Sequence, residues 1–385
     1  MITESKLLDR KILRSGHTYD QNLLWVVTLM TAFSLMMIYS ASIAYATHDG
    51  GSPFYYLERQ MAFVAVGGVA ALAVSRIPMI RWKKWTPPIL IASFVLLAAV
   101  LFGREINGAK RWIALGPVNI QPSEIFKLAA ILYLSSFFTR RAEILKDLKK
   151  VWFVGLPIAL GLALLLNEPD FGSTVVVTVI FLGLLYLAGL PMRWFSMIIT
   201  LCMVALAGLI LVAPYRMARM TAFLDPFKDP TGKGYQLSHA LMAIARGEWF
   251  GVGLGSSLEK RFYLPEAHTD FILAVIAEEF GFFGMLALIL CYAWLVWRAF
   301  SIGKQARDLE LFFSAFVAKG IGIWLGIQSF FNIGVNIGLL PTKGLTLPLM
   351  SYGGSAVIVM LCSMAMLLRV DYENRRKMRG YPVEG

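Results

Sequence analysis

Long apolar segments separated by short polar stretches make up most of this sequence. Several of these segments contain no charged side chain at all. A helix of about 20 apolar residues is long enough to cross the hydrocarbon core of a bilayer. The pattern therefore predicts ten spanning helices, at about 22–46, 61–77, 86–103, 124–138, 151–167, 172–190, 194–213, 271–297, 312–338 and 345–368.

A transmembrane β-barrel does not fit this pattern. Its strands need apolar and polar residues in alternation over about ten positions, whereas 22–46 is apolar throughout. Composition agrees with a membrane protein, because 58% of the residues are hydrophobic, mean hydropathy is +0.66 and only 16% are charged. Soluble domains are roughly 25% charged. The predicted fold class is an all-α integral membrane protein.

Lysine and arginine are distributed unequally between the two sides of the predicted bundle. Of 36 such residues, 22 lie in the alternate segments that include both termini, 12 lie in the opposite set, and two lie within spans. The positive-inside rule then places both termini in the cytoplasm. The predicted divisions are a cytoplasmic tail at 1–21, a helical domain at 22–368 with a large periplasmic loop at about 214–270 between spans seven and eight, and a cytoplasmic tail at 369–385.

The net charge of +12 is explained by cytoplasmic anchoring to anionic lipid, so nucleic-acid binding is not needed. The three cysteines and four histidines are too scattered for a disulfide framework or a zinc site. A glycine series resembles a phosphate loop only superficially, because no βαβ unit surrounds it. We predict a flexible turn there, at Gly251, Gly253 and Gly255.

Charged residues near the outer ends of the predicted helices are the first candidates for function. An ionisable group inside a span costs roughly 2.5–3.5 kcal/mol and commonly lines a cavity. Lys110 and Arg111 are paired cations ahead of span four, and Glu124 and Lys127 stand three apart on one face of that span. A purely structural ion pair near the helix start is the alternative for Glu124 and Lys127.

Two other connections place charge near the same membrane surface. The connection at 167–172 is so short that Glu168 and Asp170 must lie close to membrane level. Asp170 has an alternative role as the N-cap of the following helix. Arg216 and Arg219 follow span seven directly and are suited to binding a phosphate group.

The segment ahead of span eight carries Glu266, His268 and Asp270. Asp270 could simply cap the helix that follows, but a cap does not explain three ionisable residues together. Glu278 and Glu279 lie about two turns deeper in the same predicted helix. We therefore expect at least one of these two glutamates to line a cavity or to form an ion pair.

Lys343 lies just before the last predicted span, and Ser351 is a polar position within that span. Gly353 and Gly354 follow them, and their predicted role is close helix packing.

Four ordered segments carry a family resemblance: AKRWIALGPVNIQPSEIFKL, NEPDFG, LPEAHTDFILAVIAEEFG and NIGLLPTKGLTLPLMSYGGSA. In this order across ten predicted spans, the sequence resembles the SEDS family of bacterial shape and division proteins. The resemblance extends from about the first span to the last. The segments LLPTKGLTLPLMSYGGS and LLRVDYENR resemble the division branch of that family more than the elongation branch.

The resemblance implies a peptidoglycan glycosyltransferase that polymerises lipid II, the lipid-linked disaccharide-pentapeptide, at the outer surface of the cytoplasmic membrane. The family's essential aspartate matches Asp270, the expected general base. Glu124 and Lys127 carry over as a family cavity pair and complete the expected catalytic set. The residues expected to bind substrate, including cations for the pyrophosphate leaving group, are Arg216, Arg219, Lys110, Arg111, Glu168, Asp170, His268, Lys343 and Ser351.

The resemblance also implies a set of partners. They are a class B penicillin-binding protein transpeptidase of the FtsI type and the division regulators FtsQ-FtsL-FtsB and FtsN, in the inner membrane at the division septum. A divalent cation, Mg²⁺ or Mn²⁺, would suit a pyrophosphate leaving group, although the sequence shows no dedicated cage of ligands.

Three other functions compete with this one. A lipid II flippase would distribute ionisable groups along a path through the bilayer, whereas this sequence clusters them on one face. An elongation-branch glycosyltransferase would share the chemistry but act in another process. A non-catalytic scaffold for division proteins would leave Asp270 replaceable.

Overall fold

The computed structural model describes residues 18–382 apart from 49–50, 104–109, 116–117, 142–147, 213, 230–231, 233 and 343. This part of the chain contains twelve helices and two short strands. In chain order they are α1 (Gln21–His48), α2 (Tyr55–Arg76), α3 (Met79–Val100), β1 (Ile113–Leu115), β2 (Val118–Ile120), α4 (Pro122–Arg140), α5 (Leu148–Asn167), α6 (Phe171–Leu187), α7 (Met192–Val212), α8 (Pro214–Leu224), α9 (Tyr235–Gly247), α10 (Ile272–Asp308), α11 (Phe312–Asn336) and α12 (Gly354–Met378).

Seven of these helices are long and apolar enough to cross a membrane, namely α1, α2, α3, α7, α10, α11 and α12. The other three predicted apolar segments coincide with α4, α5 and α6. The prediction of a helical, multi-pass membrane protein is therefore confirmed. One boundary was placed too early: the last helix begins at Gly354 rather than near 345, because the residues before it, including Pro348, form an extended segment and a turn.

A short β-hairpin, which the all-α prediction did not include, lies ahead of α4. Its strands pair antiparallel, with Ile113 opposite Ile120 and Leu115 opposite Val118. Strands of three residues are too short to show a period-two pattern in the sequence. The hairpin places β2 against α12, close to the start of α4.

Helix α11 lies at the centre of the molecule, in contact with α4, α6, α10 and α12. Its largest buried side chain is Trp324, which belongs to one continuous apolar core with Phe126 of α4 and Ile180 of α6. Helix α7 is the opposite case, because none of its residues is buried. A helix that is apolar all round and yet exposed is suited to lipid on most of its surface.

Helix α10 is interrupted at Gly281, whose φ of 67° and ψ of −166° lie outside the helical region. A side chain at this position would collide with the chain, since a Cβ on Gly281 would lie 2.4 Å from the nitrogen of Gly251. The backbone of 248–253 pairs with α10 here, for example through Val252 N donating to Glu278 O at 2.9 Å. Gly251 is therefore part of a close backbone contact rather than of a merely flexible turn.

The end of α12 continues past the boundary predicted for the C-terminal tail. Residues 369–375 are helical and largely buried, with Asp371 bonded to Arg298 of α10 and to Arg375. Arg298 also bonds Asp20, just ahead of α1. This ion-pair cluster joins the first, tenth and last helices at the end of α12 remote from Gly354.

Candidate active site

Asp270 lies in the last turn of the connection before α10, and its side chain is partly exposed. The N-cap residue of α10 is Phe271, the residue that follows Asp270. The carboxylate faces the backbone of Gly344, because a Cβ added there would lie 3.1 Å from Asp270 Oδ2. Asp270 is thus adjacent to the segment that precedes α12.

Glu124 and Lys127 form an ion pair in the first two turns of α4. Lys127 Nζ donates to Glu124 Oε1 at 2.7 Å and to Gln328 Oε1 of α11 at 2.9 Å, and it lies 5.3 Å from the ring centroid of Trp324. Lys127 is fully buried, and Glu124 is 4% exposed. These contacts compensate the cost of burying an ammonium group. The predicted pairing is therefore confirmed, with the lysine lying deeper than the glutamate.

The extended segment at 344–347 connects Asp270 with the Glu124–Lys127 pair. Asn332 Nδ2 donates to Leu345 O at 2.7 Å, and Gln328 Nε2 donates to Thr346 O at 3.0 Å. Ser351 Oγ accepts from Leu347 N at 2.7 Å and donates to Thr269 O at 2.6 Å. Ser351, expected to bind substrate, is buried and supports the backbone beside Asp270.

The connection between α5 and α6 lies against the same segment. A Cβ on Gly172 would lie 2.9 Å from the Leu345 side chain. Asp170 caps α6 by accepting from Ser173 N at 3.1 Å, as one of its two predicted roles requires. Its other oxygen lies 3.5 Å from Gln121 Nε2, at the start of α4.

Arg111 fastens this connection to the hairpin. Its Nη2 donates to Pro169 O at 2.5 Å and its Nε donates to Glu168 O at 3.4 Å. The guanidinium group thus holds carbonyl oxygens at the C-terminal end of α5, where positive charge is favoured. Lys110 is exposed and donates to Leu101 O at 3.2 Å.

Glu168 is a buried acid whose two carboxyl oxygens have no hydrogen-bond partner among the residues that the structure describes. Burial, together with the negative charge of Asp170, raises its pKa from 4.5 to about 8, and Arg111 opposes the shift only in part. At neutral pH the side chain is therefore mainly a neutral carboxylic acid. No contact among the described residues joins the Glu168 side chain to Asp270 or to Lys127.

His268 lies among aromatic rings from α1, α2 and the segment before α12. Its ring centroid is 4.7 Å from that of Tyr56, 5.5 Å from that of Tyr352 and 6.0 Å from that of Tyr45. Its Nδ1 is buried and has no hydrogen-bond partner within the described part of the chain. Burial lowers the pKa of His268, with the Glu266 carboxylate acting in the opposite direction. The imidazole is thus neutral at pH 7.

Glu278 and Glu279 are pairing residues that hold the preceding connection onto α10. Glu279 Oε1 accepts from Lys260 Nζ at 2.6 Å, and Ser40 of α1 bonds the same carboxylate. Glu278 accepts from Leu258 N at 2.9 Å and from the hydroxyl of Ser257. The path of residues 248–270, and with it the position of Asp270, is therefore fixed by two buried carboxylates.

Three predicted cations cannot be placed in this geometry. Arg216 and Arg219 lie on α8, but their side chains are outside the described part of the structure. Lys343 is also outside the described residues. It adjoins Gly344, whose backbone faces Asp270.

The sequence prediction missed three polar residues on α11: Gln328, Asn332 and Asn336. Asn332 Nδ2 and Asn336 Nδ2 both donate to the carbonyl oxygen of Asp270, at 2.8 and 3.1 Å. Their spacing of four residues puts them on one helical face. Amides repeated at that interval within an apolar span are a signal that could have identified them.

The described residues offer poor ligands for a resident divalent cation. No group of three or more His, Cys, Asp or Glu side chains within them is arranged to hold a metal. Glu124, the acid closest to Lys127, already bonds that ammonium group at 2.7 Å. A cation placed on this carboxylate would be repelled by the lysine.

Comparison with known proteins agrees with this architecture. A family model described as Cell cycle protein, FTSW_RODA_SPOVE, matches residues 20–376. The chain is 57% identical to the probable peptidoglycan glycosyltransferase FtsW of Neisseria gonorrhoeae, over 98% of this chain and 90% of that protein. It is 48% identical to the protein of the same name from Aromatoleum aromaticum, over 94% of this chain and 90% of that protein.

Two solved structures share the fold. One is a chain from a peptidoglycan synthase complex described as coordinating polymerization and crosslinking, with a TM-score of 0.75, 30% identity, and coverage of 92% of this chain and 98% of that chain. The other is the rod shape-determining protein RodA of Thermus thermophilus, with a TM-score of 0.67, 29% identity, and coverage of 92% and 97%.

Proposed function

This chain belongs to the FtsW/RodA/SpoVE family of cell cycle proteins, and from that premise we propose that it is a peptidoglycan glycosyltransferase that polymerises lipid II. One observation carries the proposal. The partly exposed carboxylate of Asp270 faces Gly344, and the buried pair Glu124–Lys127 is linked through Gln328 to Thr346, so both are connected to the single segment 344–346 to which α11 bonds. Sugar transfer from a pyrophosphate donor requires a base for the acceptor hydroxyl and positive charge for the leaving group.

In this proposal the protein spans the inner membrane ten times, with both termini in the cytoplasm and the site at the periplasmic surface. The unequal distribution of lysine and arginine supports this orientation. So does the position of the site, which is built from the start of α4, the turn between α5 and α6, and the start of α10.

The reaction joins two sugars and releases a polyprenyl pyrophosphate. Asp270 takes the proton from the acceptor hydroxyl as its oxygen attacks the anomeric carbon of the donor. The bond between that carbon and the pyrophosphate oxygen breaks, and the electron pair leaves with the pyrophosphate. The proton then passes from Asp270 to solvent, which restores the carboxylate for the next transfer.

Positive charge around the leaving group has two proposed sources. Lys127 is fully buried beneath Glu124 and paired with it, so we assign it an indirect electrostatic role without contact to the pyrophosphate. Direct contact with the pyrophosphate is assigned to Arg216, Arg219 and Lys343, with Lys110 and Arg111 at the hairpin. Arginine suits this role because its planar group binds two phosphate oxygens at once.

No step of the proposed reaction is assigned to a resident metal ion. Any Mg²⁺ or Mn²⁺ in the reaction would enter with the pyrophosphate of the substrate, because the Glu124 carboxylate is already neutralised by Lys127. We assign Glu168, Asp170 and His268 to the walls of the substrate site. Asp170 and Ser351 act there mainly by holding backbone in place.

The proposed partner is a class B penicillin-binding protein of the FtsI type, because a related chain was solved within a peptidoglycan synthase complex. Resemblance to proteins named FtsW supports action at the division septum, together with the regulators FtsQ-FtsL-FtsB and FtsN. We therefore propose a role in septal rather than elongation synthesis.

Replacing Asp270 tests the function directly. Asp270→Asn keeps the size of the side chain but removes the base, so we expect polymerisation to fall at least about 100-fold, the range typical of general-base loss. The measurement is glycan-strand formation from lipid II by purified protein with its transpeptidase partner, resolved on a gel. Glu58→Gln, at an exposed carboxylate of α2, is the matched control and should polymerise normally. Normal chain growth by Asp270→Asn would contradict the assignment.

The same variant separates an enzyme from a lipid II flippase. Wild-type protein in sealed vesicles should polymerise lipid II supplied on the side of the site, with no need for its movement across the bilayer. Transport of lipid II that survives in Asp270→Asn, together with a wild type that makes no polymer, would favour the transporter.

A further inference from the structure

Three amide side chains follow one face of α11, at Gln328, Asn332 and Asn336. All three are at most 2% exposed. Burying an amide in an apolar environment costs several kcal/mol unless its hydrogen bonds are replaced. Repetition of such residues every four positions within a membrane span therefore calls for a specific set of partners.

At one end of this row, the amides hold the main chain of Asp270. Asn332 Nδ2 and Asn336 Nδ2 donate to its carbonyl oxygen at 2.8 and 3.1 Å. Asn336 Oδ1 accepts at 3.1 Å from Ala274 N, a nitrogen in the first turn of α10 that also donates to Phe271 O at 3.0 Å. The residue that carries the base and the start of its helix are thus both fixed to α11.

At the other end, Gln328 holds the ammonium group of the ion pair. Its Oε1 accepts from Lys127 Nζ at 2.9 Å and from Trp324 Nε1 at 2.7 Å. Its Nε2 donates to the carbonyl oxygen and hydroxyl of Thr346, at 3.0 and 3.4 Å. Two donors on the oxygen and two acceptors on the nitrogen permit one orientation of this amide.

The segment 344–346 links the two ends of this row of amides. Asn332 Nδ2 also donates to Leu345 O at 2.7 Å, next to the carbonyl that Gln328 holds. An unbroken series of bonds therefore runs from Lys127 through Gln328, Thr346, Leu345 and Asn332 to Asp270.

We propose that Gln328, Asn332 and Asn336 are positioning residues that fix the separation between Asp270 and the Glu124–Lys127 pair, and so set the rate of sugar transfer. This inference rests on the proposed glycosyltransferase function. A displacement of about 1 Å between reacting groups can cost about 100-fold in rate. None of the three amides is required to touch the substrate.

Purely structural polar packing is the competing explanation, and α11 supplies the control for it. Ser329 is buried on the same helix, and its hydroxyl donates to Leu325 O within that helix, with no bond to Asp270 or Lys127. Ser329→Ala therefore removes a buried polar group from α11 without touching the row of amides.

The test compares Asn332→Ala with Ser329→Ala in lipid II polymerisation, with each rate normalised to the folded fraction measured by thermal unfolding. For Asn332→Ala we expect kcat to fall about 100-fold while KM stays within about twofold, because transition-state geometry rather than binding is lost. Ser329→Ala should keep both constants. Normalised kcat for Asn332→Ala equal to that of Ser329→Ala would overturn the proposal.

A second variant covers the case in which Asn332→Ala does not fold. Gln328→Glu keeps an oxygen acceptor for Lys127 and Trp324 but loses the two donated bonds to Thr346. It should lower kcat by roughly tenfold at unchanged KM, since part of the positioning is lost. Wild-type kcat in Gln328→Glu would contradict the positioning role.

Activity of the wild type separates a failure of this inference from a failure of the proposed glycosyltransferase function. If the wild type and Ser329→Ala polymerise lipid II and Asp270→Asn does not, the glycosyltransferase stands and the amide variants alone decide the positioning role. If the wild type with its partner forms no polymer, both the function and the positioning role are overturned.

Discussion

Glu168 is the most unusual single residue near the site, because it is a buried acid to whose carboxyl oxygens no described residue donates a hydrogen bond. Leaving such a group charged in a poorly hydrated environment is costly, so the protein holds the proton instead. With a pKa of about 8, raised by burial and by Asp170, the folded state binds this proton over a range in which the unfolded chain has lost it.

The sign of the pH effect follows from that difference. Because the pKa of Glu168 is higher in the folded state, its protonation adds to the free energy of unfolding. This contribution is fully present below about pH 4.5 and is lost as the pH rises through about 8. We expect the thermal midpoint of the wild type in detergent to fall between pH 7 and pH 9, and that of Glu168→Gln to fall much less. His268 does not interfere, because burial lowers its pKa and it is neutral throughout this range.

Thermal unfolding at several pH values in that interval provides the measurement. Glu58→Gln, at an exposed carboxyl group, is the matched control and should keep the wild-type slope. Equal slopes in Glu168→Gln and the wild type would show that Glu168 is not the titrating group.

At the scale of elements, the connection from 248 to 270 determines where Asp270 lies. It is joined to α10 by backbone pairing near Gly281 and by the two buried carboxylates Glu278 and Glu279. The Lys260–Glu279 pair is nearly inaccessible to solvent, whereas the His239–Glu259 pair in the same region keeps 12–15% exposure of its side chains. Breaking a buried pair is far more damaging than breaking an accessible one.

Glu279→Gln should therefore loosen the connection. The substitution leaves the Lys260 ammonium group buried without a countercharge, and such a loss typically costs about 3–5 kcal/mol. We expect faster hydrogen exchange across residues 248–270, and polymerisation reduced by tenfold or more, since Asp270 moves with the connection. Glu259→Gln, which breaks the more accessible pair, should give a smaller change in both. Unchanged exchange in Glu279→Gln would contradict this role for the ion pair.

The sequence was sufficient to predict the helices but not the contacts between them. Uncharged runs such as 194–212 determine a spanning helix almost without regard to the rest of the chain. The pairing of Glu124 with Lys127 was also predictable, because it is local to one helix. By contrast, the bond from Asn332 to Asp270 joins residues 62 positions apart, and no local pattern specifies such a contact. The hairpin before α4 escaped prediction because its strands have only three residues each.

At the scale of the whole molecule, one charged cluster lies far from the proposed site. The proposed site lies at the start of α10, and the cluster of Asp20, Arg298, Asp371 and Arg375 lies near its other end. The rise of 1.5 Å per residue puts roughly 40 Å of helix between Asp270 and Arg298. We therefore expect this cluster to support the assembly of α1, α10 and α12 rather than the chemistry.

Asp371→Asn tests this separation of roles. Asp371 is fully buried, and its carboxylate bonds Arg298 at 3.4 Å and Arg375 at 2.6 Å. The variant leaves two buried guanidinium groups with less countercharge, so we expect the free energy of unfolding to fall by about 3–5 kcal/mol. Thermal or denaturant unfolding in detergent measures this loss. Asp308→Asn, at an exposed carboxylate that ends α10, should cost less than about 1 kcal/mol.

Activity then distinguishes an assembly role from a catalytic one. Below its unfolding temperature, Asp371→Asn should polymerise lipid II at the wild-type rate per folded molecule, because the positions of Asp270 and Lys127 are set by contacts with α11 and the segment at 344–346. A rate per folded molecule that falls tenfold would mean that the two ends of α10 are coupled. In that case the break at Gly281, where α10 departs from helical geometry, would be the first place to look for the coupling.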